Sequence, residues 1–134
     1  MSKAVLPDYK KKQRLLYVDK TPAKTLSEYG VRFLEEGRAH DAMEFYQRSG
    51  DREAIAGIAS LAEESGDVML FQQARKALGD AVSPEDWNRI GEKAFSLKKF
   101  AFASYAFEKA GNAQRSADTA AAINPNPAGG SASS

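Results

Sequence analysis

Residues 87–112 read W-N-R-I-G-E-K-A-F-S-L-K-K-F-A-F-A-S-Y-A-F-E-K-A-G-N, and residues 26–51 read L-S-E-Y-G-V-R-F-L-E-E-G-R-A-H-D-A-M-E-F-Y-Q-R-S-G-D. At a constant offset of 61 residues, Gly30 falls on Gly91, Ala42 on Ala103, Tyr46 on Phe107, Arg48 on Lys109 and Gly50 on Gly111. An internal repeat of this kind fixes the architecture before any local pattern is read, and here it points to a helical solenoid.

Local signals fill in the elements. Leu26, Tyr29, Gly30 and Phe33 recur at i, i+3, i+4 and i+7, the spacing of one helix face. Thr25-Leu26-Ser27-Glu28 has the form of a capping box and predicts a helix from there to Glu36, ended by Gly37. A second helix is predicted from Ala39 to Arg48 with Ala42, Phe45 and Tyr46 inward, and a third over 52–64 with Ile55, Ile58, Ala59 and Ala62 inward. The fourth, over 68–78, has two registers. One puts Phe71 at the repeat position equivalent to the small Ala42; the other, with three extra residues in the hairpin, puts Ala74 there and is preferred. Ser83-Pro84-Glu85-Asp86 combines a hydroxyl cap, a first-turn proline and two acids at the positive end of the helix dipole, and so marks a fifth helix to Leu97. A sixth follows over 100–110. Asn112 can cap an Ala-rich seventh to Ile123, where it would cover an otherwise open end.

The chain therefore divides into a basic arm at 1–24, a helical body at 25–123 and a Pro-, Gly- and Ser-rich tail at 124–134 that composition marks as disordered. The arm carries Lys3, Lys10, Lys11, Lys12, Arg14, Lys20 and Lys24 against Asp8 and Asp19, a net +5; the remaining residues sum to −4. Within the arm a short helix near 8–17 would put Tyr9, Lys12, Gln13 and Leu16 on one stripe.

Trp87, Ile90, Gly91, Ala103, Phe107 and Ala110, repeated by Leu26, Tyr29, Gly30, Phe33, Ala42, Tyr46 and Ser49, resemble the signature of the tetratricopeptide repeat family. The resemblance covers about 25–112. Ala94 stands where that family favours an aromatic, and Arg115 where it favours proline. It implies an all-α, α-α solenoid of three helical hairpins with a C-terminal capping helix, and protein binding on a concave groove lined by the first helix of each pair. By periodicity that lining includes Lys24, Val31, Leu34, Glu35, Glu53, Ser60, Glu63, Glu64, Glu85, Asn88, Glu92 and Phe95, with six acids against one lysine and Val31, Leu34 and Phe95 as apolar anchors. The expected partner is thus a protein or peptide, possibly a basic one. The lining lacks the Lys/Asn/Arg set with which some family members capture a terminal carboxylate. The opposite charges of arm and groove further suggest that residues 9–20 fold back over the first hairpin.

Catalysis is not expected. The one histidine, His40, has no second His, Cys or nucleophile beside it in the pattern, and Glu35-Glu36 and Glu63-Glu64 are adjacent on their helices, where side chains do not face each other. With no cysteine, thiolate chemistry is excluded, no cofactor or metal is expected, and a reducing, cytoplasmic setting fits. Ala4-Val5-Leu6 is interrupted by Pro7 before it can form an apolar leader, and no run approaches the ~20 apolar residues of a membrane span. The alternative reading uses Lys10, Lys11, Lys12 and Arg14, with Tyr9 and Tyr17, on nucleic acid or an anionic membrane surface. Short basic runs are more often solvated arms, so a nucleic-acid partner is disfavoured.

Overall fold

The computed structural model describes residues 6–125. Among them lie eight helices and no strand: α1 (Tyr9–Tyr17), α2 (Ala23–Glu35), α3 (Ala39–Ser49), α4 (Arg52–Ser65), α5 (Val68–Leu78), α6 (Pro84–Ser96), α7 (Phe100–Ala110) and α8 (Ala113–Ile123). The chain forms two compact units that meet between Ile58 and Ala59, so that α4 runs through the boundary. All but the first two residues of the Gly/Ser-rich tail fall outside the described residues.

In the first unit, α2 packs along α3. Leu26, Gly30 and Phe33 face inward from α2, and Ala42, Met43, Phe45 and Tyr46 from α3. The helices approach closely because Gly30 has no side chain: a Cβ there would lie 2.5 Å from Cε1 of Tyr46. Phe45 stacks on Phe33 with ring centroids 5.3 Å apart, and Arg38 covers the outer face of Phe33 at 4.8 Å. Asp51 then caps α4 by accepting from the Ala54 N–H at 3.1 Å. Its second oxygen accepts from Ser27 Oγ at 3.0 Å, which ties the start of α4 to the start of α2.

The second unit repeats this construction. α6 packs along α7, and α7 in turn along α8. A Cβ on Gly91 would lie 2.8 Å from Cε1 of Phe107, the counterpart of Gly30 against Tyr46. Asn112 caps α8 by accepting from the Arg115 N–H at 3.0 Å and donates to Asn88 Oδ1 at 2.9 Å, the counterpart of the link between Asp51 and Ser27. Even the turn is reproduced. Gly37 has φ +75, and Lys98, 61 residues on, takes φ +61, the one non-glycine left-handed residue among those described. Around this frame Trp87 meets Phe71 and Tyr105 edge-on, at 6.3 and 6.0 Å, and Tyr105 donates its hydroxyl to Gln72 at 3.0 Å.

One local expectation changes. The capping box at Thr25 does not form; the cap moves three residues earlier, to Pro22 (ψ 148), with no side-chain cap. Proline already supplies the extended residue a helix start needs, and Ala23 and Lys24 are good helix formers, so the Leu26 N–H closes the first turn on the Pro22 carbonyl at 3.0 Å. Ala74 is fully buried, as the preferred register requires, and so is Phe71. Three residues apart, they share one face of α5 with Val68, so burial at both positions fits either register. The box at Ser83 forms as expected: the Asp86 N–H reaches Ser83 Oγ at 3.1 Å, and the Ser83 N–H reaches Asp86 Oδ2 at 3.2 Å.

Candidate functional site

The expected groove residues fall in both units. In the first, Val31 and Glu35 are exposed on α2 with Leu34 half-buried between them, and Glu53 is exposed on α4. Val31, Leu34 and Glu35 therefore form one short stripe with an apolar part and an acid. In the second unit, Glu63 and Glu64 from α4 and Glu92 from α6 line a shallow, open concavity of about 420 Å³ with Arg89, Ile90 and Lys93. Ser60 is exposed on α4 outside that lining.

The electrostatics differ from the sequence expectation. Arg89 and Arg115 were absent from the inferred lining, and both sit on its acids. Arg89 Nε lies 3.0 Å from Glu63 and its Nη2 2.8 Å from Asp86. Arg115 grips Glu92 with two parallel bonds of 2.8 Å and adds Asp118 at 2.8 Å. Hydrogen bonds to Glu92 and then Asp118 raise the Arg115 pKa further above its usual value, so this guanidinium stays charged at every working pH. Three acids and two bases line the concavity, a near balance in place of the acidic excess expected. Glu64 and Lys93 remain exposed at its mouth.

Two other candidates are spent internally. Phe95 was expected as an apolar anchor, but the Arg115 guanidinium covers its ring at 4.4 Å and Phe100 packs edge-on at 5.2 Å. Asn88 is held by Asn112. The i, i+3 halves of these clusters, Asp86–Arg89 and Arg115–Asp118, could have been read from spacing. The bonds that reach Glu63 and Glu92 span 26 and 23 residues, and no local pattern announces them.

The basic arm is a docked helix. Asp8 caps α1 by accepting from the Lys11 N–H at 2.8 Å, and α1 packs on α3. Lys10, Lys11 and Arg14 point to solvent, while Lys12 is 8% exposed, its ammonium 2.6 Å from Asp41 and bonded also to Glu44. Leu16 is 1% exposed, and its carbonyl accepts from Arg48 Nε at 2.6 Å. The arm thus folds back onto the first hairpin, but its anchors are carboxylates of α3 rather than the α2 stripe. Lys12 is thereby removed from any basic patch. His40 is exposed on α3.

Burial pulls the Lys12 pKa down, but bonds to Asp41 and Glu44 outweigh it and hold the ammonium above its usual value. Burial likewise pushes Asp41 up, and bonds from Lys12 and Arg38 outweigh that and hold the carboxyl below its usual value. A raised lysine contributes fully below its unfolded pKa and is lost as pH rises past its folded one; a depressed aspartate contributes fully above its unfolded pKa and is lost as pH falls past its folded one. Docking of α1 should therefore be flat between about pH 5 and 9 and weaken below about pH 4 as Asp41 protonates. A spin label at exposed Lys10 would report this as a sharpened spectrum in acid. Release near neutrality would contradict the assignment.

No protein-family model, curated protein or solved structure matches the chain. No helix among the described residues is long and apolar enough to cross a membrane.

Proposed function

We propose that this chain is a tetratricopeptide-like helical repeat protein, a solenoid of three hairpins closed by α8, and that it is a non-catalytic interaction module: a small cytoplasmic adaptor or assembly factor that binds a peptide or protein segment. The observation that carries this reading is the repeated frame, with Gly30 under Tyr46 and Gly91 under Phe107, and with Ser27 on Asp51 and Asn88 on Asn112. The side chains of that frame go into holding helices together. The residues left facing solvent on α2, α4 and α6 offer contact area and paired charges, which suits recognition of another chain.

Each unit in this reading offers its own surface: Val31, Leu34 and Glu35 on α2 in the first, and in the second the concavity of Glu63, Glu64 and Glu92 with Arg89 and Lys93. The concavity's near charge balance favours a partner segment of mixed charge with an apolar anchor over a purely basic one. The reading through Lys10, Lys11 and Arg14 is the weaker, since Lys12 is engaged by α3.

Photo-crosslinking tests the choice. A benzophenone amino acid at Val31 or at Glu64 should trap a discrete protein partner, and the trap should be lost with Leu34→Glu for the first and with Arg89→Glu for the second. Adducts formed only from Lys10 or Lys11, or adducts that are nucleic acid, would overturn the proposal.

A further inference from the structure

The contact between α1 and α3 is small and specific. Of the nine residues of α1, two are buried, Lys12 and Leu16, one helical turn apart. Tyr9, Lys10, Lys11, Arg14 and Tyr17 are exposed. On α3 the receiving groups are Asp41 and Glu44, which are themselves a turn apart and retain 24% and 33% of their side-chain exposure. Arg38 orients Asp41 through a 2.8 Å bond to its second oxygen, and Arg48 reaches the Leu16 carbonyl from the same helix. A helix of nine residues is too short to persist alone in water, so α1 is helical only while it is docked. Residues 18–22, which join it to α2, are outside any helix and include Pro22.

We propose that this face of α3 is a docking site for a basic amphipathic helix carrying lysine four residues ahead of leucine, and that α1 occupies it in cis as a displaceable gate. The recognition is legible in the occupant. The ammonium enters between two carboxylates, the leucine is the apolar anchor one turn later, and Arg48 takes the backbone carbonyl at the end of the helix. Two carboxylates for one ammonium make the site selective for a cation at that position. Beside them Gln13 and Leu15 are half-buried and Arg48 lies over the Tyr17 ring at 5.6 Å, so the positions free to vary are the exposed Tyr9, Lys10, Lys11 and Arg14. This face lies on α3, and the proposal stands or falls independently of the α2 stripe and of the concavity lined by Glu63 and Glu92.

The arithmetic sets the scale. A short tether presents α1 at about millimolar effective concentration. If α1 is docked about 99% of the time, the same helix supplied free would bind the vacated site with a dissociation constant of roughly 10 μM. A partner helix must bind about a thousandfold tighter than that to displace α1 at sub-micromolar concentration.

The test uses the full chain with Lys12→Glu and Leu16→Asp, which frees α1, and a fluorescein-labelled synthetic peptide of residues 6–20 as the probe. Titration followed by anisotropy should give binding to this variant in the tens-of-micromolar range, at least tenfold tighter than to the unsubstituted chain, where the site is filled. Adding Asp41→Lys and Glu44→Lys should abolish it. Absence of binding to a variant that keeps its helical circular dichroism, or equal binding to both chains, would overturn the proposal. Should the variant not fold, amide exchange in the unsubstituted chain decides. A gate predicts that Lys12–Tyr17 exchange at least a hundredfold faster than the interior of α3. Equal protection would mean that α1 opens only with global unfolding and is a structural cap.

Discussion

Gly91→Leu is expected to destabilise the protein by about 3 kcal/mol or more, and Gly91→Ala by up to about 2 kcal/mol. The second figure is a balance of two opposed effects. Removing a glycine from a helix interior gains about 1 kcal/mol from the unfolded chain's lost freedom. Against this, the new Cβ would lie 2.8, 3.0 and 3.1 Å from Cε1, Cδ1 and Cζ of Phe107, a ring with no exposed surface and nowhere to turn. Overpacking of that kind costs about 1–3 kcal/mol, so the clash prevails. Gly57 supplies the control. It lies within α4, and a Cβ there meets nothing within 4 Å, so Gly57→Ala should stabilise by up to about 1 kcal/mol. Urea unfolding followed by circular dichroism should thus give shifts of opposite sign for the same substitution. If the two alanine variants shift together, α6 and α7 do not cross at Gly91. A Cβ at Gly30 would lie 2.5 Å from Tyr46, and the same sign is expected there.

Much of this architecture is legible because it rests on local chemistry. Helix ends at Gly50, Gly79 and Gly111 follow from left-handed backbone that glycine adopts without strain, and their φ values of +73, +74 and +71 agree. The start at Ser83 follows from side chains three residues apart. The inward positions of α4, Ile55, Ile58, Ala59 and Ala62, follow from period alone and are all buried. The candidate surface was less legible because charge was counted without geometry. Glu63 and Glu92 read as free acids until Arg89 and Arg115 arrive from 26 and 23 residues away. Lys12 read as one of four cations, although it shares a stripe with Leu16. A lysine on an apolar stripe keeps its stem packed and needs a carboxylate at its tip, and α3 provides two. Periodicity identifies which way a side chain points, and pairing across the fold decides whether it remains available.

Gly66→Ala should cost about 3 kcal/mol or more, while Gly79→Ala should cost about 1–2 kcal/mol, although both glycines close a helix in the same left-handed conformation, at φ +67 and +74. The conformational strain is common to the two. The surroundings are not: at Gly79 nothing lies within 4 Å of the new Cβ, whereas at Gly66 it would lie 2.9 Å from Cα and 3.1 Å from the backbone N of Ala94. A side chain can rotate away from such an approach. The backbone of the last turn of α6 cannot, because moving it breaks hydrogen bonds of the helix and shifts Ile90 and Gly91, which are buried one turn earlier on the same element. This contact also accounts for the small residue at 94. Its counterpart Phe33 fills space in the first unit, but an aromatic at 94 would have to share its place with the turn after α4, which Lys99 further pins through the Ser65 carbonyl at 2.5 Å. Ala94→Phe is therefore expected to destabilise by about 1–3 kcal/mol even though it restores the aromatic of the repeat. Fluorescence of Trp87, in the same unit and close to both changes in sequence, gives the unfolding midpoint. Equal midpoints for Gly66→Ala and Gly79→Ala would mean that the turn does not rest on α6.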